Sequence, residues 1–98
     1  MYIIEYMLDS SCPKCIDNCN QFLRLCHKAS LKNEIIVYCS NRDINLIQAK
    51  LKTSKNVSII YDDSVYPYEE DGSFNVSIID SLDNPVAQFY FVDNNVIL

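Results

Sequence analysis

Apolar residues fall along this chain in short blocks separated by polar turns, and two different periods alternate from block to block. Residues Tyr2 to Leu8, YIIEYML, are β-branched and aromatic with only Glu5 charged, which predicts a buried strand of the parallel, covered kind. Asp9-Ser10-Ser11 then offers capping oxygens, and Pro13 stands where the first turn of a helix accepts proline, so a helix is predicted from Cys12 or Pro13. Ile16, Cys19, Leu23 and Cys26, joined by Phe22, recur at spacings of three and four, while Asp17, Asn18, Asn20, Gln21, Arg24 and Lys28 fill the other face. One apolar stripe against a sheet follows.

The stripe fades near Lys32-Asn33, and Glu34 to Cys39, EIIVYC, reads as a second buried strand. Asn41-Arg42-Asp43 is placed to cap a second helix running to about Thr53, with Ile44, Leu46, Ile47 and Leu51 apolar, and Asn56 to Tyr61 predicts a third strand. A long loop holding Pro67 and Gly72 leads to residues 76 to 80, VSIID, a turn over Ser81 to Asn84, and residues 86 to 92, VAQFYFV. That pair predicts an antiparallel β-hairpin. The order βαβαβ closed by a hairpin is an α/β three-layer pattern, a central mixed sheet flanked by helices, with right-handed crossovers in its parallel part. A flavodoxin-like sheet would need more alternating units and a Gly-rich phosphate loop, and neither is present.

Composition narrows this further. Ninety-eight residues, 49% of them apolar, make one domain, residues 1–98, with a core of its own. A net charge of −5 with eight scattered Lys and Arg argues against nucleic-acid partners. The densest acidic run, Asp62-Asp63 and then Glu69-Glu70-Asp71, reads as a solvated loop. No window of 18 apolar residues spans a membrane, and the start shows no signal-peptide pattern. A trimmed leader or anchor would place the chain in the periplasm or elsewhere outside the cytoplasm, an untrimmed chain in the cytoplasm, and the sequence sets no oligomeric state.

Five cysteines gather toward one end of the chain, which is not the spread of a disulfide scaffold. Cys12 and Cys15 form a C-x-x-C directly after a strand and at the start of a helix, in a βαβ setting, and that context marks a redox motif. Backbone amides and the positive end of the helix dipole favour a thiolate there, Lys14 adds positive charge, and Pro13 restricts the turn. Cys12 would then be the exposed attacking thiolate and Cys15, one turn on, the sheltered thiol that resolves the mixed disulfide. Cys19, Cys26 and Cys39 fall on apolar positions and read as small core residues.

A metal centre from Cys12, Cys15, Cys19 and Cys26 or His27 is disfavoured, because four ligands strung along one helix cannot converge tetrahedrally. No metal and no cofactor is expected. His27, late in the helix, suits its negative end. Glu5, in the strand beneath the redox turn, either accepts a proton from Cys15 during exchange or points to solvent by strand alternation.

Strand YIIEYML, then SSCPKC opening a helix, then VSIIDSLDNPV as a hairpin resembles the thioredoxin superfamily over essentially the whole chain, in particular its small redoxin and TlpA-like bacterial thiol-disulfide oxidoreductase domains. The resemblance implies a thioredoxin-like fold whose final helix is missing or incomplete at Leu98. It also implies a disulfide reductase or isomerase with Cys12 as nucleophile, Cys15 as resolving cysteine, and a protein thiol or disulfide as partner. Two departures stand out: Ser10-Ser11 replace the family's tryptophan before the motif, and no proline stands near Phe74, Asn75 or Val76, where its cis-proline would face the cysteines. Pro67 would serve only if its loop folded back. These departures keep a second reading in play, a thioredoxin-like interaction module without catalysis. Peroxide reduction ranks below both, since the sequence beside Cys12 offers no threonine or arginine to orient a peroxide.

Overall fold

Alternating burial in the first two strands organises the molecule. The computed structural model describes residues 2–40, 42, 44–51, 53–63, 74–92 and 95–97. In β1 (Ile3–Leu8), Ile4, Tyr6 and Leu8 are buried; in β2 (Glu34–Cys39), Ile35, Val37 and Cys39 are. These strands pair in parallel with Tyr6 opposite Val37, so their buried residues share one face. The strands were expected to be covered on both faces, and the period of two shows that one face carries the core.

Between them runs α1 (Pro13–Lys28), whose buried residues include the whole predicted stripe, Ile16, Cys19, Phe22, Leu23 and Cys26. Phe22 stacks between Tyr6 and Phe91, with ring centroids 5.2 and 5.3 Å away. Asn18, expected on the polar face, is buried as well.

The end of α1 is built without glycine. Leu31 N–H donates to the Cys26 carbonyl and Ser30 N–H to that of His27, a Schellman closure that puts Ser30 in the left-handed region at φ 56°. Ser30→Gly removes the Cβ conflict of that conformation and is expected to stabilise the fold by about 0.5–1 kcal/mol, after the unfolded-state entropy of glycine. A urea midpoint that fails to rise at unchanged slope counts against this account.

After β2 comes α2 (Ile44–Lys50), shorter than the stretch to Thr53 that its apolar residues predicted, and of its expected cap only Arg42 lies within the described residues. Then β3 (Val57–Tyr61) pairs in parallel with β2. The hairpin is present as β4 (Val76–Ile79) and β5 (Pro85–Val92), with a register shift between Ile78 and Ile79. Its turn hangs on Asp80, whose Oδ1 accepts from the Leu82 and Asn84 amides at 2.9 and 3.0 Å. A short strand that the sequence pattern did not announce, β6 (Asn95–Ile97), pairs with β5. Pro67 and the acidic run at 69–71 lie outside the described residues.

The six-stranded mixed sheet has the order β3-β2-β1-β4-β5-β6. Steps from β1 to β2 to β3 move in one direction, so right-handed crossovers must put both helices on the same face. They do: Ile47 and Leu51 join the α1 stripe in one core, and the Asn20 side-chain amide donates to the Lys50 carbonyl at 3.0 Å. The expected three-layer pattern is thereby corrected, because among the described residues the helices form one layer on one face of the sheet. No described helix is long and apolar enough to cross a membrane.

Candidate redox site

β1 is where the sheet changes character, with β2 parallel on one side and β4 antiparallel on the other. The chain leaves its carboxyl end into the turn Asp9 to Cys12, and in such sheets this edge is where ligands meet the protein. Asp9 holds the turn: its Oδ1 accepts from Ser11 N–H at 3.1 Å and Ser11 Oγ–H at 2.6 Å, and its carbonyl accepts from Cys12 N–H at 3.2 Å. Ser10, buried, is tied to β2 through Ser40, whose Oγ accepts from Ser10 N–H at 3.2 Å. The oxygens expected to cap α1 therefore fix the turn instead.

The cap itself is Cys12, in extended conformation, with its sulfur accepting from Cys15 N–H at 3.2 Å. Pro13 follows in the first turn, exposed, and Lys14 is exposed beside it. The Cys12 and Cys15 sulfurs meet at disulfide distance, with Cα atoms 5.2 Å apart. Both residues are half-buried, and Cys15 packs against the hydrophobic core.

Cys19, Cys26 and Cys39 are reduced thiols buried in the core. Burial pushes the Cys19 thiol well above the ordinary thiol range, reinforced by the neighbouring Cys26, and burial likewise raises Cys26. A neutral thiol is a poor nucleophile, so burial makes Cys19 and Cys26 poor candidates for sulfur exchange. Among the described residues, no three His, Cys, Asp or Glu side chains converge as a metal would require. His27, exposed in the last turn of α1, lies far along the helix from Cys12.

Glu5 does not sit beneath Cys15. Alternation turns it to the face opposite α1, where Tyr38 Oη–H donates to its Oε2 at 2.9 Å. Burial, aided by that hydrogen bond and the Glu5 charge, pushes the Tyr38 phenol up to about 12, so it stays protonated and donating. Asp9 is the acidic residue that lines a cavity together with Cys15. That cavity, 20 Å³ with room for one water, is lined as well by the buried polar side chains Asn18, Asn75 and Tyr6. Strand alternation could have excluded Glu5, but only tertiary structure brings Asn75 here.

Asn75 stands directly before β4, within the stretch Phe74 to Val76 where the family resemblance predicts a proline. Its side chain spans to β5 with both arms: Oδ1 accepts from Phe91 N–H at 2.8 Å and Nδ2–H donates to the Phe91 carbonyl at 2.9 Å. Its own carbonyl accepts from Met7 N–H at 2.7 Å, so the segment is sewn between β1 and β5.

On the other flank, Ser10, Ser11, Ser40 and Arg42 line an open cleft of 350 Å³, and Arg42 lies over the Tyr61 ring, 5.7 Å from its centroid, with Nε–H donating to Tyr61 Oη at 3.2 Å. The sequence beside Cys12 lacks an arginine, yet the fold brings one to the surface next to the motif. No protein-family model, curated protein or solved structure matches the chain.

Proposed function

We propose that this chain is a thiol-disulfide oxidoreductase of the thioredoxin-like kind, acting on a protein thiol or disulfide. The observation that carries the reading is the Cys12–Cys15 pair at bridging distance on the exposed first turn of α1, directly after the central strand. The strand order β2-β1-β4-β5 around that turn, two parallel strands followed by an antiparallel hairpin, supports the thioredoxin-like assignment.

In the reducing direction, the Cys12 thiolate attacks one sulfur of a partner disulfide and expels the other as a thiolate. A mixed disulfide results. Cys15 then loses its proton and attacks the Cys12 sulfur, releasing the second partner sulfur. The partner gains two electrons, the Cys12–Cys15 bond forms, and the reverse sequence oxidises a dithiol.

The test is equilibration in glutathione or dithiothreitol buffers, with thiol state read by mass spectrometry. A reversible two-electron couple between about −120 and −270 mV is expected, with Cys19, Cys26 and Cys39 remaining thiols throughout. A pair that does not interconvert would leave the second reading, a non-catalytic interaction module, which the stitched Asn75 before β4 favours.

Asp9 is assigned the proton of Cys15, because it is the acidic residue among those that line a cavity together with Cys15. Asp9→Asn keeps an acceptor oxygen for Ser11 but loses the base. Resolution of the mixed disulfide should slow by about 100-fold near neutral pH. The deficit should shrink as pH rises, where hydroxide replaces the lost base. Stopped-flow rates equal to wild type across pH 6–9 would remove Asp9 from the mechanism.

A further inference from the structure

The far end of α1 carries a second site. α1 is 16 residues long and α2 only 7, about 24 against 10.5 Å of helix, and with Asn20 bonded to Lys50 at the end of α2 the last turns of α1 run past that end, beside the segment that follows α2. The gap is a cleft of 290 Å³, roughly ten waters in volume. Its apolar part is Leu23, Cys26, Leu31, Ile35 and Val57. Its walls are fixed on both sides: Leu31 by the Schellman closure, and the strand entries by Asn56, whose carbonyl accepts from Ile35 N–H at 2.8 Å and whose Nδ2–H donates to the Asn33 carbonyl at 2.8 Å.

Among the described lining residues Arg24 is the one charged side chain, with His27 three residues further along α1, and none is acidic although the chain holds 13 Asp and Glu. The helix end contributes little opposing charge, because the carbonyls of Leu25, Cys26 and His27 already accept from the amides of Ala29, Leu31 and Ser30.

We propose that this cleft binds a small apolar carboxylate, its hydrocarbon over Leu23, Ile35 and Val57 and its carboxylate at Arg24. The guanidinium is the suited partner for that group. The site is separate from the cysteine pair and independent of its chemistry.

Octanoate is the probe, titrated into the full ¹⁵N-labelled chain and read by amide chemical shifts. Saturable shifts confined to residues such as Leu31, Thr53 and Val57 are expected, with Kd on the order of 0.1–1 mM for a ligand of this size. Arg24→Glu, at an exposed position that leaves the core untouched, should weaken binding at least tenfold, and octylammonium should not bind there. Absence of saturable shifts, equal binding by octanol, or an unchanged affinity in Arg24→Glu each overturns the proposal.

Discussion

Cys15→Ser should accumulate a stable mixed disulfide between Cys12 and the partner protein, whereas Cys12→Ser should abolish exchange, by about 10³-fold or more in rate. The two outcomes differ because the sulfurs occupy different places on one helix end. Cys12 is the N-cap, where its sulfur takes the Cys15 amide hydrogen at 3.2 Å and lies at the positive end of α1. In the reduced state that position favours the thiolate. Cys15 sits one turn inward against the core, so it reaches the Cys12 sulfur but not a partner first.

The same geometry separates chemistry from folding. Serine is among the best N-cap residues, so the hydroxyl introduced by Cys12→Ser would keep the hydrogen bond that the sulfur now accepts, and the reduced variant should be at least as stable as the reduced wild type. Capture of partner by Cys15→Ser, read as a dithiothreitol-sensitive band on a non-reducing gel, is the direct observation. If Cys12→Ser alone captured partner, the roles of the two sulfurs would be reversed; if neither variant did, exchange would not pass through this pair.

What the sequence made legible follows the strength of each local signal. Pro13 and the stripe Ile16, Cys19, Leu23, Cys26 placed α1 within a residue of its start, because a 3.6-residue period and a first-turn proline act locally. The bounds of β2 were legible for the same reason: a continuous apolar run lies between polar turns. Coverage of the sheet was not legible. YIIEYML reads as apolar on both faces, and only the shared direction of the β1-to-β2 and β2-to-β3 crossovers puts both helices on one side. The end of α1 was blurred because Ser30, not glycine, adopts the left-handed conformation.

Within the site, the C-x-x-C is a spacing signal and was visible at once. Its surroundings come from distant stretches of chain, and no local period encodes them. Ser10 meets Ser40 across 30 residues, and Asn75 meets Tyr6 across 69, Nδ2–H donating to Oη at 3.4 Å. Helical period alone puts Asn18 on the solvent face, yet it is buried and lines a cavity with Cys15.

Asn75→Ala is expected to destabilise the fold by about 3 kcal/mol, a large share of the ~5–15 kcal/mol available to a small domain. The backbone ladder of β4 begins at Val76, and Asn75 extends it with a side chain, its amide group standing in for a backbone peptide against Phe91. Removing that group strands a buried N–H and a buried C=O on β5 at once, at roughly 1–3 kcal/mol each before relaxation. Asn75→Asp tests the geometry more sharply: it keeps the acceptor for Phe91 N–H but sets a carboxylate oxygen against the Phe91 carbonyl. It should therefore be at least as damaging as alanine near neutral pH and recover as acid protonates the new carboxyl and restores a donor. Urea midpoints at two pH values measure both effects. A loss below about 1 kcal/mol in Asn75→Ala would mean that water or a shifted backbone satisfies Phe91 in its place, and the segment that lines the cavity with Cys15 would then be free to move rather than fixed between β1 and β5.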